Sequence, residues 1–580
     1  MSTTWWRTDA VTWSAHGWSL QLRGDELAEI RYGDRMLVRA VRAAVRDRGW
    51  LTVPATVSDV EIEASTLVLH LRHDGLGAQI GSRLTVRADA SELVISWDAE
   101  NGPAFDTCRT GLVVLHPASD AGAAATVVHS DGSSERTAFP AAISPHQPIM
   151  DIRELDIDGG PTLTFEGDVF EMEDQRNWTD ASFKTYSRPL ALPYPYRLDA
   201  GERVCQSITV RPPEVAAGPE VASDSTISLG EAGPFPAVGI EASTAPDPIA
   251  RSDAGAFRVV ELNLTTPNWL AALERAAGDG VPLDVRLVTD GDERVLAEAL
   301  RAVSRMGLSG VADPAAGDAA PGPGVLRVTA FDAVEHVSDP DVVTALRGAM
   351  RDAGLAVPVL GGARSHFTEL NREQGRIARD VDGITLNTTP LFHTLDTEQL
   401  VEALPIQRLI AEQAVEIADG LPVHIGPVSL RPRFNNVATT PEPAPSRADL
   451  SEGYGAQFTG ASDLRQRAPE LAAWLVASAA ALAVPGVASL SWFETSGPRG
   501  IAGTPAAEVL DAFASLSGGT LLSGASPDGL LWAIGARTDV GDVVLVANVG
   551  EDVRQVTVRI AGQADQTLEL GGGAWGRLDT

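Results

Sequence analysis

From Trp13 to about Pro212 apolar and polar residues alternate in short segments, such as Leu67-Val-Leu-His-Leu-Arg72, Leu84-Thr-Val-Arg87 and Leu93-Val-Ile-Ser-Trp97, separated by Asp, Gly and Ser turns. Alternation gives a strand one apolar and one wetted face, so residues 1–212 are expected to form an antiparallel β-sandwich. A Pro/Ala/Ser-rich stretch follows, and 213–234 is expected to be a linker. After it the rhythm changes to short apolar strands interleaved with amphipathic helices. The strands are expected at Val238–Ala242, Val259–Leu264, Leu283–Val288, Val325–Thr329, Val357–Leu360, Gly383–Asn387, Pro422–Gly426 and Ala488–Phe493, and the helices include Trp269–Gly278, Glu293–Met306, Asp341–Ala353, Glu398–Ala418 and Pro469–Ala483. Eight strands in this order predict a (β/α)8 TIM-like barrel over 235–517. Alternating segments return at Leu530–Gly535, Val543–Asn548 and Val556–Ile560, so 518–580 is expected to be a small C-terminal β-domain.

At 580 residues the chain is too long for one core. Its net charge of −33 repels phosphate backbones and anionic lipid, which sets nucleic acid and membrane surfaces behind small neutral or mildly anionic molecules as partners. The longest apolar run, Leu471–Val487, is alanine-rich, interrupted by Pro485 and too short for a membrane span. Two cysteines, Cys108 and Cys205, make no disulfide framework, and the N-terminal residues have no signal-peptide pattern, so a cytoplasmic location is expected. Composition leaves the oligomeric state open.

Among 45 basic side chains Lys184 is the only lysine. In a chain rich in Ala, Arg, Gly and Pro, a surviving lysine suggests a site that needs a compact ammonium and rejects the planar fork of arginine. It lies in the densest polar and aromatic run of the chain, with Glu171, Glu173, Asp174, Arg176, Asn177, Trp178, Asp180 and Tyr186.

A (β/α)8 barrel carries its active site at the C-terminal ends of its strands, so eight places need searching. Four are dense in polar groups: Gly361–Arg372 after the fifth strand, Asn387–His393 after the sixth, Ser429–Asn435 after the seventh and Ser491–Arg499 at the eighth. The other four read as ordinary strand ends. Glu369 and Glu494 form the carboxylate pair expected to divide acid and base duties, since environment pushes the pKa values of such pairs apart. Arg431 and Arg433 flank a stiffening proline and would suit a carboxylate or an oxyanion. Asn371, Asn387, His393 and Trp492 complete the expected substrate contacts with Glu171, Glu173, Asp174, Arg176, Asn177, Trp178, Lys184 and Tyr186. A loop-staple role, Glu369 with Arg372 and Glu494 with Arg499, is the alternative for the two glutamates. No H-E-x-x-H, C-x-x-C or phosphate-loop spacing occurs, and no metal or cofactor is expected.

The run Phe170–Tyr186, with Phe367-Thr-Glu-Leu-Asn-Arg372, Val428-Ser-Leu-Arg-Pro-Arg-Phe434 and Trp492-Phe-Glu-Thr-Ser-Gly497, resembles the D-apionate lactonase family. The resemblance covers nearly the whole chain in architecture. It implies an N-terminal β-domain, a central barrel and a C-terminal β-domain, and an enzyme that opens D-apionolactone to D-apionate. It brings no catalytic assignment with it. Ser365-His366 and Pro498 are departures that would alter the pocket.

Two mechanisms suit these residues. In a lactonase, Glu369 or Glu494 deprotonates water while Arg431, Arg433 or Lys184 supplies positive charge, and no G-x-S-x-G nucleophile is required or present. In a retaining glycosidase the two glutamates are nucleophile and acid/base, about 5 to 5.5 Å apart. The large glycosidase clan with this barrel places its pair after strands four and seven, which the count reproduces only if Val238–Ala242 is not a barrel strand. A non-catalytic sugar-binding protein, with Trp178 and Trp492 as sugar faces, is the third class.

Overall fold

The computed structural model describes residues 9–213, 225–247, 254–305, 324–437, 446–458 and 462–579. Two nine-stranded, antiparallel sheets make up the N-terminal part and share one apolar core, which includes Trp13, Trp18, Trp97 and Phe165. Strand Leu93–Asn101 shows how alternation builds it, with Leu93, Ile95, Trp97 and Ala99 buried. Strand Phe105–Pro117 departs from the pattern, being buried on both faces. Its second face carries Val113 and Leu115, packed with Ala40 and Tyr186 of the neighbouring strands. That face is turned to the barrel: Arg39 reaches Glu402 and Gln399, and the Asn435 amide donates to the Gly49 carbonyl.

Eight parallel strands close the barrel. They are β1 (Ala237–Glu241), β2 (Arg258–Asn263), β3 (Leu283–Thr289), β4 (Val325–Asp332), β5 (Val359–Gly362), β6 (Gly383–Leu386), β7 (Val423–Val428) and β8 (Val487–Glu494). Helices α1 (Trp269–Ala277), α2 (Glu293–Arg305), α3 (Pro340–Ala353), α4 (Phe367–Arg372), α5 (Thr397–Ala418), α6 (Leu471–Leu482) and α7 (Ala506–Ala514) surround them. The helical ring is incomplete: among the described residues none forms a helix between β1 and β2. Since Val238 lies in β1, which pairs with both β2 and β8, Glu369 follows the fifth strand and Glu494 ends the eighth.

The stretch expected as a linker, 213–234, is partly a strand. Thr226–Pro234 pairs in parallel with Arg554–Ile560 and antiparallel with Thr520–Ser523, inside a seven-stranded C-terminal sheet. Ile227 and Leu229 alternate with Ser228 and Gly230 and are buried there, a short period-two signal hidden by the Pro/Ala/Ser composition around it. Residues 214–224 of the expected linker lie outside the described residues.

Helix α6 is buried along every residue. An all-round apolar helix needs a cover on each side. Here α5 and α7 flank it, and strands Leu531–Thr538 and Gly541–Asn548 of the C-terminal sheet lie across it. The run that was too short for a membrane span is therefore a core helix, and among the described residues no helix is long and apolar enough to cross a membrane.

Candidate active site

Charged side chains fill the barrel below the mouth. Asp284 on β3 accepts from Arg327 on β4 at 2.9 Å and from Arg286 at 3.3 Å, and Arg286 donates to the Gly426 carbonyl at 2.6 Å and to Asn387 at 3.2 Å. Asn387 in turn donates 2.8 Å to the carbonyl of Arg364. Buried polar groups of this kind persist only when paired, and pairing makes the barrel floor rigid. Backbone geometry helps at β5, where Gly362 sits at φ +128 with its Cα against the Thr385 backbone, leaving no room for a side chain.

Three carboxylates stand side by side at the mouth, on β8, β1 and β2. Glu494 and Glu241 are register partners on adjacent strands. Strict alternation after the outward Trp492 would turn Glu494 away from the interior. A register irregularity and Phe493 at φ +50 reset it, so Trp492 and Phe493 both pack outward, on Phe513 and Trp474, and Glu494 turns in. Glu494 is 0% exposed and accepts from the Thr244 N–H (3.0 Å), the Thr244 hydroxyl (2.7 Å) and Arg499 (2.8 Å). Glu261 pairs with Arg364 at 2.8 Å and Arg433 at 3.0 Å. Burial alone would raise its pKa, but the two guanidiniums hold it well below the usual carboxylate range. Glu241 shares the same Arg433, at 3.0 Å, and burial together with the neighbouring Glu494 and Glu261 pushes its pKa up to about 7.

Glu369 sits in the first turn of α4, near the mouth but on a different footing. Its oxygens accept from the Ser365 hydroxyl (2.5 Å) and the Asn436 amide (2.6 Å), both neutral donors. Burial raises its pKa against those hydrogen bonds.

The lysine-bearing run caps this side of the mouth. Thr179 and Thr388 hydroxyls meet at 2.8 Å, the Asn177 carbonyl accepts from Thr368 at 2.9 Å, its side chain accepts from Asn371 at 2.9 Å, and Asp180 holds His393 at 2.7 Å. The Trp178 ring stacks on Phe392 at 4.5 Å and lies 5.7 Å from the ring of His366. Burial pushes the His366 imidazole down to about 3, so it is neutral near pH 7, and its Nδ1 has no hydrogen-bond partner among the described residues. Burial also lowers His393, despite Asp180. Lys184 lies 2.5 Å from Glu173, whose other oxygen accepts from the Trp178 indole at 3.2 Å, and the Tyr186 hydroxyl donates to Glu171 at 2.5 Å.

Four expected contacts fall elsewhere. Trp492 points away from the mouth and donates to the Ser478 hydroxyl of α6 at 3.1 Å, because its position in β8 faces the helical layer. Asp174 and Arg176 pair with each other at 2.7 Å, and Arg176 ties down the carbonyls of Pro140, Ala141 and Ala142, which makes them a loop clasp. Arg431 pairs with Asp463 at 2.8 Å, beside Arg465, while Arg433 two residues on turns into the barrel. Glu241 and Glu261 went unread as strand ends of the ordinary kind. Glu241 is the last residue of β1, where the strand-end rule points, whereas Glu261 lies two residues before the end of β2 and only the closed barrel brings it to the mouth. Among the described residues, three possible metal-ligating side chains converge only at Asp59, Glu61 and His70, on the edge of the sandwich.

A closed parallel barrel with paired charges gathered at its strand ends, capped by a segment of the preceding sandwich, is the architecture of a barrel enzyme. Residues 1–214 match the family model for the D-apionate lactonase N-terminal domain, and residues 244–521 match that for its TIM barrel domain. The chain belongs to the D-apionate lactonase family and is a hydrolase, a lactonase. It is 31% identical over 465 residues to the D-apionate lactonase of Brucella anthropi, covering 72% of each chain. Solved structures that the chain matches include a β-arabinopyranosidase (10% identity, TM-score 0.26, 98% of both chains). A GH30 endoxylanase from Clostridium papyrosolvens C71 is 11% identical, with a TM-score of 0.35 over 61% of this chain and 98% of that one. Likenesses at that level bear on no point of chemistry.

Proposed function

We propose that the chain opens D-apionolactone to D-apionate, with Glu369 as the base that deprotonates the attacking water and Arg433 as the cation that steadies the oxyanion. The observation that carries this is the setting of Glu369. Glu494 and Glu261 are each held by guanidiniums, whereas the Glu369 oxygens are held by a hydroxyl and an amide, and burial raises its pKa. A carboxylate so placed takes up a proton more readily than an arginine-bound one. Glu494, locked by Arg499 and Thr244, holds the charge balance of the mouth, and Lys184 positions Glu173 and Trp178 over the substrate. A cytoplasmic site of action goes with this reading, since both cysteines are free thiols.

A retaining glycosidase is the weaker reading. It needs a nucleophilic carboxylate, and Glu494 has four donor contacts from Thr244 and Arg499 to give up before it could attack. The test is proton release from D-apionolactone, with and without chelator, beside a panel of nitrophenyl glycosides. Lactone opening insensitive to chelator and idle glycosides are expected, and Glu369→Gln should lower kcat by about 100-fold or more. Glycoside cleavage with a glycosyl group trapped on Glu369 or Glu494 would replace the lactonase mechanism.

A further inference from the structure

A cleft opens at the ends of β1 and β2, bordered by Glu241, Glu261, Asn263, Asn268, Trp269 and Tyr454, with about 500 Å³ of empty space counted out to the solvent. Its walls combine an indole, a phenol, two carboxylates and two amides, the mix that suits a small polyhydroxylated ring. One wall group is uncommitted. Asn268 is buried, its Oδ1 accepts from Thr266 at 2.8 Å, and its Nδ2 has no hydrogen-bond partner among the described residues. A buried amide donor in that state is costly unless something in the cleft accepts from it.

Resting on the lactonase reading above, we propose that this cleft holds the sugar hydroxyls of the lactone and that Glu241 is the acid that protonates the ring oxygen as it leaves. The groups around Glu241 set this role. Arg433 reaches it from the loop after β7, Glu261 from β2, Glu494 and Arg499 from β8 and the loop beyond, and Tyr454 from the segment 446–458. Glu261 is held by Arg364 and Arg433, well below the usual carboxylate range, and Glu494 is bound by Arg499, so a carboxylate set between these two is the one whose negative charge costs most. Glu241 therefore keeps its proton up to about pH 7, far above Glu261, and it faces the cleft.

The steps balance. Water loses a proton to Glu369 and its oxygen bonds to the lactone carbonyl carbon, giving a tetrahedral oxyanion. Collapse of that oxyanion breaks the bond from the carbon to the ring oxygen, and the departing oxygen takes the Glu241 proton. The hydroxy acid then ionises. Net consumption is one water, net release one proton, and Glu241 regains its proton as Glu369 loses one.

The experiment compares wild type with Glu241→Gln and Asn268→Ala on D-apionolactone, measuring kcat and KM across pH and D-apionate binding by calorimetry. In wild type, kcat should fall as pH rises through about 7, because the acid must be protonated. Glu241→Gln should lose about 100-fold or more in kcat, keep product affinity within about threefold and show no such limb. Asn268→Ala should raise KM by about tenfold with kcat within about threefold. A flat wild-type profile, an unchanged limb in Glu241→Gln or its turnover within about threefold of wild type removes Glu241 as the acid, and an unchanged KM in Asn268→Ala removes the cleft assignment. Failure of wild type to open the lactone would remove the lactonase reading itself, an outcome separate from these.

Discussion

Lys184 and Glu173 are direct cross-strand partners between Ser182–Ser187 and Phe170–Asp174, and their side chains meet at 2.5 Å on the face turned to the barrel. At that spacing a short ammonium fits between the strands, while a guanidinium is longer and flat. Burial lowers the Lys184 pKa and the Glu173 charge raises it again, so the pair persists because each partner answers the other. Arg46 and Arg109 lie close enough to depress it further, and a fork in place of the ammonium would be pushed against them. Lys184→Arg should lower kcat/KM by about tenfold or more with the melting temperature within about 4 °C of wild type, since one packed contact is lost and no core is opened. Steady-state kinetics and a thermal melt decide it; full activity would make the lone lysine incidental.

The end of β8 behaves as a unit. Phe493 at φ +50 turns Glu494 inward, and Arg499 and Thr244 meet it there, which joins the eighth strand to the loop after the first. Breaking one side of a buried ion pair strands the other charge, so Arg499→Met should cost about 3–5 kcal/mol. The double variant Glu494→Gln/Arg499→Met should be less damaged than that single change, because it strands no charge. Chemical denaturation of the two variants checks this, and a double variant worse than Arg499→Met would mean the contacts to Thr244 matter more than charge. The alternation of the strand, taken alone, would place Glu494 outside. Only the irregular register beside β1 brings it in.

At the scale of the whole molecule the three parts are not beads on a string. The sandwich lends the barrel a cap through Asn177, Trp178, Thr179 and Asp180, and the C-terminal sheet covers α6 while borrowing Thr226–Pro234 as one of its strands. A chain ending at residue 517 would leave α6 bare on one side and Ile227 and Leu229 without their sheet. Such a truncation should aggregate on expression, because it exposes a contiguous apolar surface. Size-exclusion chromatography of the soluble fraction against full-length protein measures this, and a monodisperse product would show that the C-terminal sheet is dispensable.

Local pattern determined most of the elements. Period-two runs marked the sandwich strands, and apolar strands alternating with helices marked all eight barrel strands, because burial on one face or between layers writes itself into neighbouring residues. Helix α4, at six residues, is too short to show a period, and Thr226–Pro234 shows one only over Ile227–Gly230, inside a Pro/Ala/Ser-rich composition. The run Phe170–Tyr186 was legible as unusual, but the reason lay in residues roughly two hundred positions away, Thr388 and His393 among them. The same holds for the carboxylates. Sequence placed Glu369 and Glu494 near strand ends; only the closed barrel decided that Glu494 meets Arg499 and Thr244, that Glu261 takes Arg364, and that Glu241 stands between them with a shared Arg433. Proton affinity depends on which charges and how much water surround a group, and those neighbours come from strands that are distant in the chain.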